Sequence, residues 1–159
     1  MTNELREIEQ NELAQKLEYR EQIQEFENML SQQPEATFGN SPLAPLVHMF
    51  APGIYVRQIT LPKDSICVGK IHKYEHPNFL MSGKVKVVTE DGGYEILEAP
   101  MVMISPAGTK RAVHALEDTV WVTVHATDDT DTDRIEKEIT VESYDELPDC
   151  KELQCPSLE

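Results

Sequence analysis

Cysteine is scarce in this 159-residue chain, and its three copies, Cys67, Cys150 and Cys155, form no Cys-x-x-Cys pair. An odd number of cysteines without such a pair argues against a disulfide framework and against a cysteine-based zinc site. Long apolar runs are also missing, because no stretch approaches the roughly 18 residues that cross a bilayer. The first residues have neither the basic start nor the apolar stretch of a secretory signal. We therefore expect no membrane partner and a cytoplasmic location.

Basic residues are the second shortage, with 14 Lys and Arg against 29 Asp and Glu, for a net charge of -15. Residues 1–45 hold nine acidic and three basic residues, residues 46–127 hold eight of each, and residues 128–159 hold twelve acidic and three basic. The pattern predicts a charge-balanced globular unit between two acidic arms. Because acidic arms repel phosphate backbones, we expect no nucleic-acid partner.

Glycine and proline are absent from residues 2–31, where helix formers such as Glu, Gln and Leu dominate. This composition predicts one amphipathic helix over residues 1–31. Its apolar stripe contains Leu5, Ile8, Leu13, Leu17, Ile23, Phe26 and Leu30. A helix of about 30 residues is about 45 Å long and extends beyond a small domain. Two interpretations stay open: the stripe packs on the chain's own core, or it makes the protein a homo-oligomer.

Short Val- and Ile-rich segments follow a proline-rich linker at residues 32–45. Turn signals separate eight predicted strands: 54–61, 66–74, 78–81, 84–89, 94–98, 101–104, 111–115 and 119–125. Strands of this length and spacing predict an antiparallel sandwich or barrel over residues 46–127. Residues 128–159 are predicted to form a short acidic helix, roughly Thr132 to Ile139, and an acidic tail.

Two segments carry the most specific pattern in the chain. Residues 69–83 read GKIHKYEHPNFLMSG, and residues 106–111 read PAGTKR. These segments resemble the two motifs of the cupin, or RmlC-like, family, and the wider match is similar to small cupin-like proteins encoded by tailed bacteriophages. The resemblance covers roughly residues 50–126. It implies a mostly β fold, a cupin-like jelly-roll barrel with a long N-terminal α-helix and a short acidic C-terminal helix.

The metal-binding positions of that family are altered in this sequence. Alignment on Gly83 places Lys70 and His72 at the two histidine positions of the first motif and His76 at its glutamate position. Arg111 stands at the histidine position of the second motif. An arginine offers no lone pair, and a lysine must lose its proton before it can bind a metal. We therefore expect no cofactor and a barrel that folds without metal; if a metal is bound, its ligands are His72 and His76.

The same four side chains suit an anion. Lys70, His72, His76 and Arg111 are expected to meet at the barrel mouth, where guanidinium and ammonium groups favour phosphate or carboxylate. The competing interpretation is that Lys70 and Arg111 are solvated residues at strand ends. Surface or packing roles are expected for the other histidines, which are His48, His114 and His125.

Two classes of function follow from these residues. The first is a non-catalytic phage accessory protein, an oligomeric ligand-binding or assembly module that acts in the host cytoplasm or in the virion. The second is an enzyme, either a metal-dependent cupin using His72 and His76 or a metal-free relative of the sugar-nucleotide epimerases. Because an oriented acid–base pair cannot be assigned from the sequence, the accessory role is favoured.

Overall fold

The computed structural model describes residues 3–89 and 92–147, with side chains from residue 6 onward. The predicted acidic tail beyond residue 147, with Cys150 and Cys155, and the side chain of Leu5 lie outside this description. The elements are, in chain order, α1 (Asn3–Ser31), β1 (Leu46–Ala51), β2 (Ile54–Leu61), β3 (Ile66–Val68), β4 (Ile71–His72), β5 (His76–Ser82), β6 (Lys84–Val88), β7 (Tyr94–Glu98), β8 (Met101–Ser105), β9 (Ala112–Ala115), β10 (Thr119–Ala126), α2 (Thr132–Ile139) and β11 (Thr140–Val141). A 3₁₀ turn at Tyr144–Glu146 ends the described chain.

Two antiparallel sheets form the body of the protein. One has five strands in the order β1-β2-β10-β5-β8, and the other has four in the order β3-β9-β6-β7. The chain crosses between these sheets after β2, β5, β7, β8 and β9, and it returns from β3 to β5 through β4, as in a jelly roll. A third, two-stranded sheet pairs β11 with β4. The predicted fold class, mostly β with a long N-terminal helix and a short acidic C-terminal one, is confirmed.

The main difference from the predicted strands lies between residues 66 and 74. The structure divides this segment into β3 and β4, because the backbone at Gly69 and Lys70 leaves the sheet. β1 and β11 were not predicted as strands, whereas β2 and β7 have the predicted bounds.

The core lies between the two sheets, where apolar side chains from both meet. Its buried members are Leu61, Leu80, Val85, Val87, Leu97, Val113, Ala115 and Trp121. Trp121 on β10 stands opposite Ile59 of β2 and Leu80 of β5. Because side chains alternate along a strand, Thr123 and His125 face the same interior as Trp121. The interior of the five-stranded sheet therefore changes from apolar at Trp121 to polar at His125.

Helix α1 packs on the domain through its second half only. Tyr19 and Ile23 are buried against Ala112 of β9, and the Tyr19 hydroxyl donates a 2.8 Å hydrogen bond to the carbonyl oxygen of Lys110. The ammonium of Lys110, itself buried, lies 2.6 Å from the carboxylate of Glu27. The first half exposes half or more of three apolar side chains, Ile8, Leu13 and Leu17. Packing on the chain's own core thus accounts for half of the stripe, and self-association stays a prediction.

Helix α2 closes one end of the barrel. Asp131 caps it by accepting hydrogen bonds from the backbone N–H groups of Asp133 and Arg134, which satisfies two otherwise unpaired donors. Ile135 and Ile139 are buried against Tyr55, whose side chain belongs to the inner face of β2. None of the helices in the described residues has the length and apolar character needed to span a bilayer.

Candidate metal centre

Three histidines from three different strands meet beneath α2. His76 begins β5, and His125 lies near the end of β10. The two strands are in register at Thr123 and Asn78, so two residues further along His125 stands opposite His76. His72 comes from β4, where it pairs with Thr140 of β11. The five-stranded sheet thus supplies His76 and His125, and β4, which pairs with β11, supplies His72.

The three imidazole rings are in mutual contact. Their centroids are 4.1 Å apart for His72 and His76, 4.7 Å for His76 and His125, and 5.3 Å for His72 and His125. One ring nitrogen from each lies within 4.8 Å of the other two. His76 and His125 are almost completely buried, with 3% and 6% of their surface exposed. A single small ligand placed among the rings would contact all three.

Hydrogen bonds set the direction of two rings, and one nitrogen of the third ring is buried without a partner among the described residues. His76 Nδ1 lies 3.1 Å from the Tyr74 carbonyl oxygen; since a carbonyl only accepts, Nδ1 carries the proton and Nε2 carries the lone pair. His125 Nε2 lies 3.2 Å from the hydroxyl of Thr123. His72 Nδ1 is buried and has no hydrogen-bond partner within the described residues. An unpaired buried nitrogen is costly, which points to a ligand at this position.

All three imidazoles are held in their neutral form. Burial, together with the neighbouring rings of His76 and His125 and the charges of Arg57 and Arg111, lowers the pKa of His72 to about 2. Burial, His76 and Arg57 lower the pKa of His125 to about 3. Burial also lowers the pKa of His76. At neutral pH these rings therefore offer lone pairs rather than positive charge.

Arg111 lies beside the cluster at the end of a buried polar network. Its guanidinium donates a 2.6 Å hydrogen bond to the hydroxyl of Ser105, which stands opposite His76 on β8. Asn78 donates to the same hydroxyl at 2.7 Å and accepts at 3.0 Å from the indole N–H of Trp121. The network connects the polar end of the barrel with its apolar core.

Arg57 is a site residue that the sequence analysis missed. It lies on β2 two residues after the inward-facing Tyr55, on the same face of the strand, and it stands opposite Thr123 of β10. Its positive charge lowers the pKa of both His72 and His125. The signal available in the sequence was a charged residue at an inward position of β2, whose other inward residues are Tyr55, Ile59 and Leu61.

The structure corrects the predicted placement of Lys70. Instead of joining His72 at the barrel mouth, its ammonium lies 2.8 Å from the Glu136 carboxylate and 2.9 Å from that of Glu142. These contacts belong to a surface cavity of about 470 Å³ beside α2. The prediction assumed one continuous strand, in which residues 70 and 72 share a face, but the backbone break between β3 and β4 removes that alternation.

His125 is the second correction, because surface or packing was its expected role. It shares its face of β10 with Trp121 and closes the histidine cluster with His72 and His76. His48, given the same expectation, lies on β1 and contacts the Tyr55 hydroxyl at 2.7 Å through its Nδ1. The sequence motif thus identified two of the three clustered histidines, and the third came from a strand that the motif does not include.

Comparisons with known proteins give similarity of fold at low sequence identity. No protein-family model matches the sequence, and no curated protein matches it. An ethanolamine utilization protein Q from Salmonella typhimurium is 14% identical over 58% of this chain and 80% of its own, with a TM-score of 0.46. KdgF from a Halomonas species is 14% identical over 58% and 88%, with a TM-score of 0.46. A cupin domain from Bordetella pertussis is 15% identical over 57% and 99%, with a TM-score of 0.44. Similarity at this level carries no argument about function.

Proposed function

We propose that this chain is a cupin-like module that binds one divalent transition-metal ion through His72, His76 and His125. The observation that carries the proposal is the convergence of three neutral imidazoles, of which His76 and His125 are buried and the half-buried His72 has a buried Nδ1 without a partner among the described residues. Imidazole is a common ligand of zinc, iron, nickel and copper. The hydrogen bond from His76 Nδ1 to the Tyr74 carbonyl is the kind of contact that orients a metal-binding histidine.

The donor atoms fit a metal after small ring rotations. Metal–nitrogen bonds of about 2.0–2.1 Å place the ligand nitrogens of a tetrahedral site roughly 3.4 Å apart, and the three nitrogens here lie within 4.8 Å of one another. A metal held there would supply a Lewis-acid centre with coordination positions left for a further ligand. The expectation that no metal is bound rested on Lys70 and Arg111 at ligand positions; His125 completes a ligand set that needs neither.

Arg57 and Arg111 support an anionic partner for this centre. Their charges act on the same histidines, and an anion beside the metal would offset the repulsion between the metal and the two guanidiniums. The cationic pocket of the sequence analysis is retained in this proposal, with Arg57 in the place of Lys70. A metal-free anion pocket formed by the two arginines is the second candidate, favoured by the same charges.

The deep burial of the site supports a binding role over rapid turnover. α2 covers this end of the barrel through Ile135 and Ile139, both buried. A metal-dependent enzyme using His72 and His76, or a metal-free epimerase, would require substrate to pass this cover. We therefore propose a non-catalytic role, and the sequence resemblance to small cupin-like proteins of tailed bacteriophages is what supports an accessory role in a bacteriophage, in the host cytoplasm or in the virion.

Calorimetric titration of chelator-treated protein with Zn²⁺ tests the proposal. We expect about one ion per chain for the wild type. Replacing His125 by alanine removes a ligand, so its affinity should fall by at least about 100-fold. His114→Ala is the matched control, since His114 lies on β9 outside the cluster. Absence of stoichiometric binding, or equal affinity in the His125→Ala protein, contradicts the proposal.

A phosphate titration distinguishes the second candidate. Metal-free wild-type protein that binds phosphate, with binding lost on Arg111→Ala, would favour the metal-free anion pocket. If phosphate binds only after Zn²⁺ is loaded, the metal and the anion belong to one site, as proposed.

A further inference from the structure

The outward surface of the five-stranded sheet is apolar across its whole width. Its positions alternate with the inward ones: they are the odd-numbered residues of β1 and β5 and the even-numbered residues of β2, β8 and β10. We call this surface the outer sheet face. Six of its apolar side chains, Val47, Met49, Ile54, Met81, Val102 and Ile104, are each at least 43% exposed.

This composition is unusual for an antiparallel sheet. On these five strands no outward position carries a charged residue, and only Gln58, Thr60 and residues no larger than alanine interrupt the large apolar side chains. In the whole chain 27% of residues are charged. A sheet with one face in the core and one in water normally alternates apolar and polar residues. An apolar patch of this extent marks an interaction surface.

The helices described in the structure cover other parts of the molecule. α1 packs Tyr19 and Ile23 on Ala112 of β9, in the four-stranded sheet. α2 packs on Tyr55, which points into the barrel. The contacts of α1 and α2 among the described residues therefore lie away from the outer sheet face.

We infer that the outer sheet face pairs with the same face of a second copy of this chain in a two-fold symmetric dimer. A molecule of net charge -15 repels copies of itself at its charged surfaces, so an uncharged face is where two copies can approach without burying like charges. The same lack of Lys and Arg gives the face no attraction for anionic lipid or phosphate. Two twisted sheets of this kind pack face to face about 10 Å apart, with interdigitated side chains.

The area agrees with a dimer. Five strands at about 4.8 Å spacing, each with about six residues at about 3.3 Å per residue, give roughly 480 Å² of sheet on each copy. Pairing of two copies would bury roughly 1,000 Å² in total, counted on flat sheets without the additional surface of protruding side chains. This total reaches the size at which specific interfaces begin.

Sedimentation equilibrium of the full chain tests the inference. We expect the wild type to be a dimer at micromolar concentration. In the Val102→Glu, Ile104→Glu double variant the dimer affinity should fall by about 30-fold or more. Both side chains are already exposed on the edge strand β8, so the monomer should tolerate the change. The milder Val102→Thr variant, which keeps the side-chain shape, should weaken dimerisation several-fold and guards against an effect of misfolding.

Two control variants separate this face from other surfaces. Tyr94→Glu with Ile96→Glu places the same charges on exposed apolar residues of β7, the edge of the other sheet, and should leave the dimer intact. Leu13→Glu with Leu17→Glu tests self-association through α1. A monomeric wild type, or a dimer lost in the α1 variant and kept in the β8 variant, overturns the inference.

Discussion

Acid should destabilise the metal-free protein through its buried histidines. In the folded state the pKa of His72 is about 2 and that of His125 about 3, mainly because burial disfavours the charged ring. In the unfolded chain both return to about 6.5. The unfolded state therefore binds more protons below pH 6.5, and stability falls as the pH decreases from 6.5 toward the folded-state values.

The magnitude follows from the difference in pKa. Each pH unit below 6.5 costs about 1.4 kcal/mol per histidine until the folded-state pKa is reached. Between pH 7 and pH 5 this amounts to about 2 kcal/mol for each of His72 and His125, or about 4 kcal/mol together. This is a large fraction of the roughly 5–15 kcal/mol that stabilises a typical domain. Carboxyl groups titrate mostly below this window.

Urea unfolding at pH 7, 6 and 5, in the presence of chelator, measures the effect. We expect the free energy of unfolding of the wild type to fall by about 4 kcal/mol over this range. The variants His72→Asn and His125→Asn should each lose about 2 kcal/mol of this fall, and His76, whose pKa burial also lowers, contributes to what remains. His114→Asn, which leaves the cluster intact, should keep the wild-type slope.

Two results would refute the reasoning. The first is a stability that does not change between pH 7 and pH 5. The second is a wild-type slope that persists in both the His72→Asn and His125→Asn proteins, which would assign the dependence to other groups.

Two further predictions concern the fold that holds the site. Asn78→Ala should cost about 2–4 kcal/mol in urea unfolding, because the buried Trp121 N–H loses its acceptor; a loss below about 0.5 kcal/mol would show that the network is dispensable. Gly83→Ala should cost about 3 kcal/mol or more, since the backbone has φ +88° and a Cβ would collide with the Asp118 carbonyl oxygen. Gly92→Ala, with φ +79° and open space among the described residues, should cost only about 1–2 kcal/mol; equal losses at the two glycines would contradict the steric argument.

The strands were predictable because turn residues separate them clearly. The bounds of β2 and β7 follow from glycine and proline positions, and the start of α2 follows from a capping residue, which is Asp131 in the structure. β1 was missed because a strand at a sheet edge is stabilised by its pairing with β2, which a local pattern does not contain. The two residues of β11 form a strand only because they pair with β4.

The site was predictable only in part, for reasons of strand continuity and sequence distance. His72 and His76 belong to one motif, so alignment on Gly83 found both. His125 lies far along the chain and joins them through the pairing of β10 with β5. His125 lies four residues after Trp121 and therefore on the same face of β10, which was a usable signal. Because apolar residues occupy both faces of β10, alternation alone did not identify the inner face. Lys70 was misplaced because the break after β3 cannot be read from side-chain type.

The metal content of the protein tests the central claim most directly. Wild-type protein purified without chelator, incubated with excess Zn²⁺ and desalted, should retain about one ion per chain by elemental analysis. The His125→Ala protein treated in the same way should retain almost none, and the His114→Ala protein should match the wild type. Wild-type protein that retains no metal, or a His125→Ala protein that retains as much as the wild type, would contradict the assignment of a three-histidine centre.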